Sequence, residues 1–93
     1  MEKVHVPGTD RGKIFLYTLS TCGWCRKTKA WLNDAGLEYT YVDVDLLPPE
    51  EKTRALEELK RWNPRCSYPT VVVNGSECLV GFDPDRLQEM VSK

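Results

Sequence analysis

Ninety-three residues carry a net charge of −1, with 41% hydrophobic and 29% charged content, the proportions of one ordinary globular domain. A chain of this size buries roughly 60–70% of its unfolded surface, so it needs no staple to fold. The charge balance argues against a nucleic-acid binder, which would show a basic excess, and no apolar run approaches the roughly 20 residues that span a bilayer.

Residues 1–12, MEKVHVPGTDRG, read as a flexible N-terminal tail, because Pro7 and Gly8 interrupt the short alternation of Val4, His5 and Val6. The segment has no apolar stretch of signal-peptide length. The expected location is therefore the cytoplasm, where a close pair of cysteines is catalytic or metal-binding more often than structural.

The domain is expected over 13–93. KIFLYT (13–18) is a continuous apolar run of β-formers, the mark of a strand buried on both faces. A helix is expected to begin near Cys22 and Gly23 and run to Ala35, with Gly36 just past its end. Cys25, Thr28, Leu32 and Ala35 recur at helical spacing and form its inward stripe, while Arg26, Lys27 and Lys29 point elsewhere.

EYTYVDV (38–44) reads as a second strand, parallel to the first because a helix joins them. Pro48 and Pro49 start a helix with acidic residues first and basic residues last, as the helix dipole prefers, and Ala55, Leu56, Leu59 and Trp62 make its buried face. TVVV (70–73) and ECLV (77–80) flank Asn74-Gly75, a strong hairpin signal, with Cys78 expected opposite Val73. Asp83 and Pro84 start a last helix with Leu87, Met90 and Val91 inward. The order is β-α-β-α-β-β-α around a four-stranded mixed sheet.

Cys22 and Cys25, in TLSTCGWCRKTKAWL, fall at the strand-to-helix junction, and that location decides more than their spacing does. Backbone N–H groups at a helix start lack partners and favour an anion. Thiols placed there beside cations titrate at about 3.5–7.5 rather than about 8.5. Cys22 is thus the expected attacking thiolate, with Arg26 and Lys27 adding positive charge, and Cys25, one turn on and facing inward, the resolving thiol. Zinc is the metal alternative, but such sites usually add a second close Cys or His pair, and Cys66 and Cys78 stand 12 positions apart. These two read as small hydrophobes, with Cys66 in a loop facing the site and open to a regulatory role.

LYTLSTCGWCRKTKAWL, SYPTVVVNG and VGFDPDRL, in that order, resemble a glutaredoxin-like member of the thioredoxin superfamily over residues 13–92. The resemblance implies a thioredoxin-like α/β fold and a dithiol–disulfide oxidoreductase. It implies that Pro69 is cis beside the cysteines. Tyr68, Pro69 and Thr70 are then the loop that takes an extended substrate segment, with Gly23, Trp24, Gly81, Phe82 and Asp83 completing the binding surface. Trp24 either docks a partner or packs against Trp31 or Tyr17.

Glutathione-using relatives usually carry Pro-Tyr between the cysteines, Lys where Leu19 stands, and Gly-Gly-x-Asp-Asp where Val80-Gly81-Phe82-Asp83-Pro84 runs. The Gly-Phe-x-Pro-Asp pattern instead resembles the NrdH-type redoxins. These are recharged by a thioredoxin-reductase-type enzyme and serve ribonucleotide reductase. The expected partners are accordingly disulfide-containing proteins and such a reductase, with no cofactor beyond the redox-active disulfide, no metal, no membrane, and a monomeric state. A glutathione-dependent monothiol enzyme and an iron–sulfur carrier are the alternatives.

Overall fold

The computed structural model describes residues 3–92. Its strands are β1 (Val4–Val6), β2 (Ile14–Thr18), β3 (Tyr39–Asp43), β4 (Thr70–Val73) and β5 (Glu77–Val80), and its helices are α1 (Gly23–Asp34), α2 (Pro49–Trp62) and α3 (Pro84–Val91). The sheet order is β1-β3-β2-β4-β5. β2 and β3 run parallel, as a helical crossover requires, and the other pairings are antiparallel.

Side chains of a strand alternate between the sheet's faces, and β2, at the centre, shows the result on both. Ile14 and Leu16 join Leu32 of α1 and Leu87, Met90 and Val91 of α3 in one core. Tyr17 joins Ala55 and Leu59 of α2, with Val42, Val44 and Leu47, in the other. The sheet is the middle of three layers, and both helices that follow the parallel strands start at the same end of it.

The helix limits follow local chemistry. Beyond α1, Gly36 adopts φ +68°, and the Gly36 and Leu37 N–H groups donate to Asn33 (3.0 Å) and Leu32 (3.1 Å) carbonyls. This double bond is the Schellman end, with Leu37 packed in the same core as Leu32. The helix ends at Asp34, and Ala35, its C-cap, is exposed rather than inward. At α3, the Asp83 carboxylate accepts the Arg86 N–H at 3.1 Å, the cap its position foretold.

Two expectations need correction. Within the expected tail of residues 1–12, of which 1 and 2 lie outside the described residues, residues 4–9 are held against the sheet rather than loose, and the sheet has five strands rather than four. Val4, His5 and Val6 pair with Tyr41, Thr40 and Tyr39 at the β3 edge. The anchor is further along, where Thr9 N–H donates to Gly36 O at 2.7 Å and Glu38 N–H to Thr9 O at 2.9 Å. A three-residue alternation is too short to declare itself, and its partner lies more than thirty positions away. The hairpin register also differs. Ser76 belongs to the loop, its N–H bonded to Val73 O at 3.2 Å, so Val73 faces Glu77 and Cys78 faces Val72.

Gly8 shows how tightly the N-terminal segment is fitted. A Cβ there would lie 2.6 Å from Leu37 C, 2.7 Å from Gly36 O and 2.8 Å from Glu38 N, all backbone atoms with no freedom to turn aside. Gly8→Ala is expected to cost about 1–3 kcal/mol through overpacking. In thermal unfolding this reads as a midpoint lowered by roughly 5–15 °C, and an unchanged midpoint would mean the segment contributes nothing to stability.

Candidate active site

The loop after β2 is tied down before it reaches the cysteines. Ser20 donates twice to Asp45, from N–H at 2.9 Å and from its hydroxyl at 2.5 Å, and these bonds hold the Asp45 carboxyl below the usual carboxylate range. Cys22 N–H then bonds to Leu19 O at 3.2 Å. Cys22 is the N-cap of α1, and its Sγ accepts the Cys25 N–H at 3.2 Å. A sulfur thus occupies the place where a Ser or Asp oxygen commonly receives an orphan N–H.

Cys25 is wholly buried, whereas Cys22 is partly exposed, and both are free thiols. Burial pushes the Cys25 thiol up to about 12, and its hydrogen bond to Cys22 pushes the same way. A backbone hydrogen bond at Leu19 and the Lys29 ammonium pull against them. The two cysteines are therefore joined by the Cys25 N–H and unequal, one partly exposed and one buried.

Lys29 corrects the expectation that all three cations of α1 point away. Its Nζ lies 3.2 Å from Asp43 Oδ1 and 3.8 Å from the centre of the Tyr41 ring, with the side chain 19% exposed. Lys27 instead stands over Trp24, 4.5 Å from its ring centre.

The second wall comes from β4. Thr70 pairs with Tyr17 of β2, which sets Pro69 at the end of the sheet where β2 leads into the cysteines. The Tyr68–Pro69 bond is cis. Pro69 O accepts the N–H of Gly81, which sits at φ +85°, at 2.8 Å. Among the described residues no internal hydrogen bond engages the Tyr68 backbone. The Tyr68 phenol is pushed up chiefly by burial, then by Cys66, Cys25 and Asp45, so this ring borders the thiol site.

Sequence reasoning missed Asn63, the residue that shapes this loop. Buried at the end of α2, its amide donates to Ser67 Oγ (2.9 Å), Ser67 O (3.3 Å) and Thr70 Oγ1 (3.1 Å). The signal available was a polar residue followed by proline at a helix end, which marks a turn without naming partners.

Trp24 is 57% exposed and its ring lies 6.3 Å from that of Phe82, so it faces outward beside α3 and packs on neither Trp31 nor Tyr17. Val80, 49% exposed, extends this apolar rim. Gly23 opens α1, and a Cβ there would meet nothing within 4 Å. The Asp83 carboxylate is engaged as the α3 cap. Cys66 adopts φ +51° and rests partly buried against the α2 core, while the Cys78 thiol donates to Trp62 O at 3.6 Å. A cleft of about 530 Å³ between Phe15, Tyr39, Trp62 and Val72 opens toward the start of β2, whereas Cys22 follows its end.

Two neighbouring thiols of unequal exposure, on a thioredoxin-like frame, are equipped for two-electron exchange with other disulfides, and the chain is a thiol–disulfide oxidoreductase. Its family is settled by comparison with known proteins. The glutaredoxin family model matches residues 14–77, and the chain belongs to that family. It is similar to the glutaredoxin of Methanosarcina mazei Go1, at 44% identity and TM-score 0.91 over 98% of this chain and 88% of that one. Methanoredoxin of Methanosarcina acetivorans superposes with TM-score 0.89 at 46% identity, over 92% of this chain and 90% of that one. The glutaredoxin-like NrdH-redoxin of Escherichia coli, whose activity profile is called thioredoxin-like, superposes with TM-score 0.68 at 27% identity, over 84% of this chain and 93% of that one. No helix among the described residues is long and apolar enough to cross a membrane.

Proposed function

We propose that the protein reduces disulfides in other proteins, with Cys22 as nucleophile and Cys25 as resolving thiol. The observation that carries this reading is the inequality of the pair, an accessible sulfur at the helix cap above a fully buried one. Attack by Cys22 on a substrate disulfide gives a mixed disulfide, and attack by Cys25 on Cys22 releases the reduced substrate.

Tyr68, Pro69 and Thr70 receive the extended substrate segment. Proline offers no N–H and the Tyr68 backbone has no internal partner among the described residues, which supports its pairing with an incoming strand. Gly23 leaves the approach to Cys22 open, Gly81 supports Pro69, and Trp24 with Phe82 forms an apolar rim. Asp83 acts there through the α3 cap, and Arg26 and Lys27 give the rim positive charge. Leu19 and Pro84 stand where glutathione-using relatives carry Lys and Asp, and Val80 where they carry Gly, which supports a thioredoxin-reductase-type electron donor. A ribonucleotide reductase is the protein substrate implied by the resemblance to NrdH-type redoxins.

Equilibration across reduced-to-oxidised glutathione ratios, followed by alkylation and intact mass, tests the reading. Two thiols disappearing together without an adduct is the expected result. A dominant glutathione adduct on Cys22 would establish the monothiol glutathione mechanism instead. Trp24→Ala is expected to raise KM about tenfold for a protein disulfide while leaving turnover of a small disulfide unchanged. Equal loss on both substrates in steady-state assays would remove Trp24 from the docking surface.

A further inference from the structure

The buried thiol and the one cation set against it define a second level of control. Resolution requires Cys25 to carry negative charge in a place sealed from water. The groups that face it are few. Cys22 caps the same helix, the Tyr68 phenol borders it from the loop before β4, and Lys29 lies one turn below it on α1. At i and i+4 two side chains occupy the same face of a helix, so the Lys29 ammonium is within Coulombic reach of Cys25 Sγ.

Lys29 is not free to wander. Asp43, the last residue of β3, holds its Nζ at 3.2 Å. The same carboxylate oxygen accepts the hydroxyl of Thr18, fully buried at the end of β2, at 2.6 Å. The Tyr41 ring lies under the ammonium at 3.8 Å. The carboxylate, the hydroxyl and the ring thus fix the cation from the two parallel strands that carry α1.

We propose, on the reading of Cys22 and Cys25 given above, that Lys29 and Asp43 are positioning residues for the resolving step. Lys29 stabilises the charge that forms on Cys25 Sγ, and Asp43 limits that effect while fixing where the ammonium sits. In the first step the Cys22 thiolate bonds to one substrate sulfur, the substrate S–S bond breaks, and the other sulfur leaves as a thiolate. In the second, Cys25 gives its proton to a departing thiolate and bonds to Cys22 Sγ. The mixed disulfide breaks, and two electrons have passed to the substrate. Only this second step places charge beside Lys29.

The reduced protein, carrying Cys66→Ser and Cys78→Ser in every variant and in the wild-type reference so that only Cys22 and Cys25 react, separates the steps when mixed with 5,5′-dithiobis(2-nitrobenzoate), since each then releases one coloured thiolate. Lys29→Met is expected to slow the second release about tenfold at neutral pH and to move its pH midpoint up by about one unit, with the first release within twofold of wild type. Lys29→Arg keeps the charge and restores the rate, while Asp43→Asn speeds the second release a few-fold and lowers the midpoint. A Lys29→Met protein with the wild-type second phase and midpoint would overturn the proposal. So would a Lys29→Arg protein as slow as Lys29→Met, which would show a packing role alone. A wild-type protein releasing a single equivalent would instead overturn the dithiol reading, and the proposal with it.

Discussion

Cys22→Ser is expected to abolish disulfide reductase activity, and Cys25→Ser to stop it differently, by accumulating a covalent complex between Cys22 and the substrate. A serine hydroxyl is not ionised near neutral pH and does not form the sulfur–sulfur bond that carries the electrons. With Cys22 intact and Cys25 replaced, the first exchange proceeds and the second has no attacking sulfur. Non-reducing electrophoresis and intact mass read the outcome. A Cys22→Ser protein that still turns over protein disulfides would sink the assignment. A Cys25→Ser protein that keeps full activity on glutathione mixed disulfides would place the enzyme among monothiol glutaredoxins.

Leu16→Ala is the substitution expected to cost most in stability. Leu16 is fully buried at the middle of the central strand and joins residues of α1, α3 and β4 in one core. Truncating such a leucine removes its transfer energy and leaves a cavity, together about 2–5 kcal/mol. Domains of this kind hold about 5–15 kcal/mol in all, so the variant loses a large share of its margin. Urea unfolding should show a midpoint lower by about 2 M with an unchanged slope. A shift below about 0.5 M would mean that the core relaxes to fill the space.

Where the chain's order was legible in its sequence, the determinants were local. Gly36 ends α1, Asp83 caps α3, and Asn74 and Gly75 turn a hairpin with φ +56° and +63°, each signalled within four residues of where it acts. The two thiols were legible for the same reason, since only residues 19–21 separate the strand from the Cys22 cap and its helix. The features that escaped depend on partners distant along the chain. β1 is defined by Tyr39–Tyr41, and Trp24 meets Phe82 across 58 positions of sequence. Lys29 was misplaced because helical spacing predicts which face a residue occupies and not that an aspartate waits at the end of a neighbouring strand. The cis bond at Pro69 was implied by family resemblance alone, because local chemistry favours trans.

The short N-terminal strand also covers an edge of the sheet. β3 carries Tyr-Thr-Tyr-Val-Asp, a run rich in residues that pair readily into sheets, and without β1 its outer N–H and C=O groups would stand open as a template for another chain. Covering them takes three residues, clamped by Gly8 and Thr9. The new edge that β1 presents is too brief to recruit a long strand, and His5 and Val4 leave it ragged and partly polar. A segment remote from the thiols thereby covers the edge of the sheet most open to pairing with another chain.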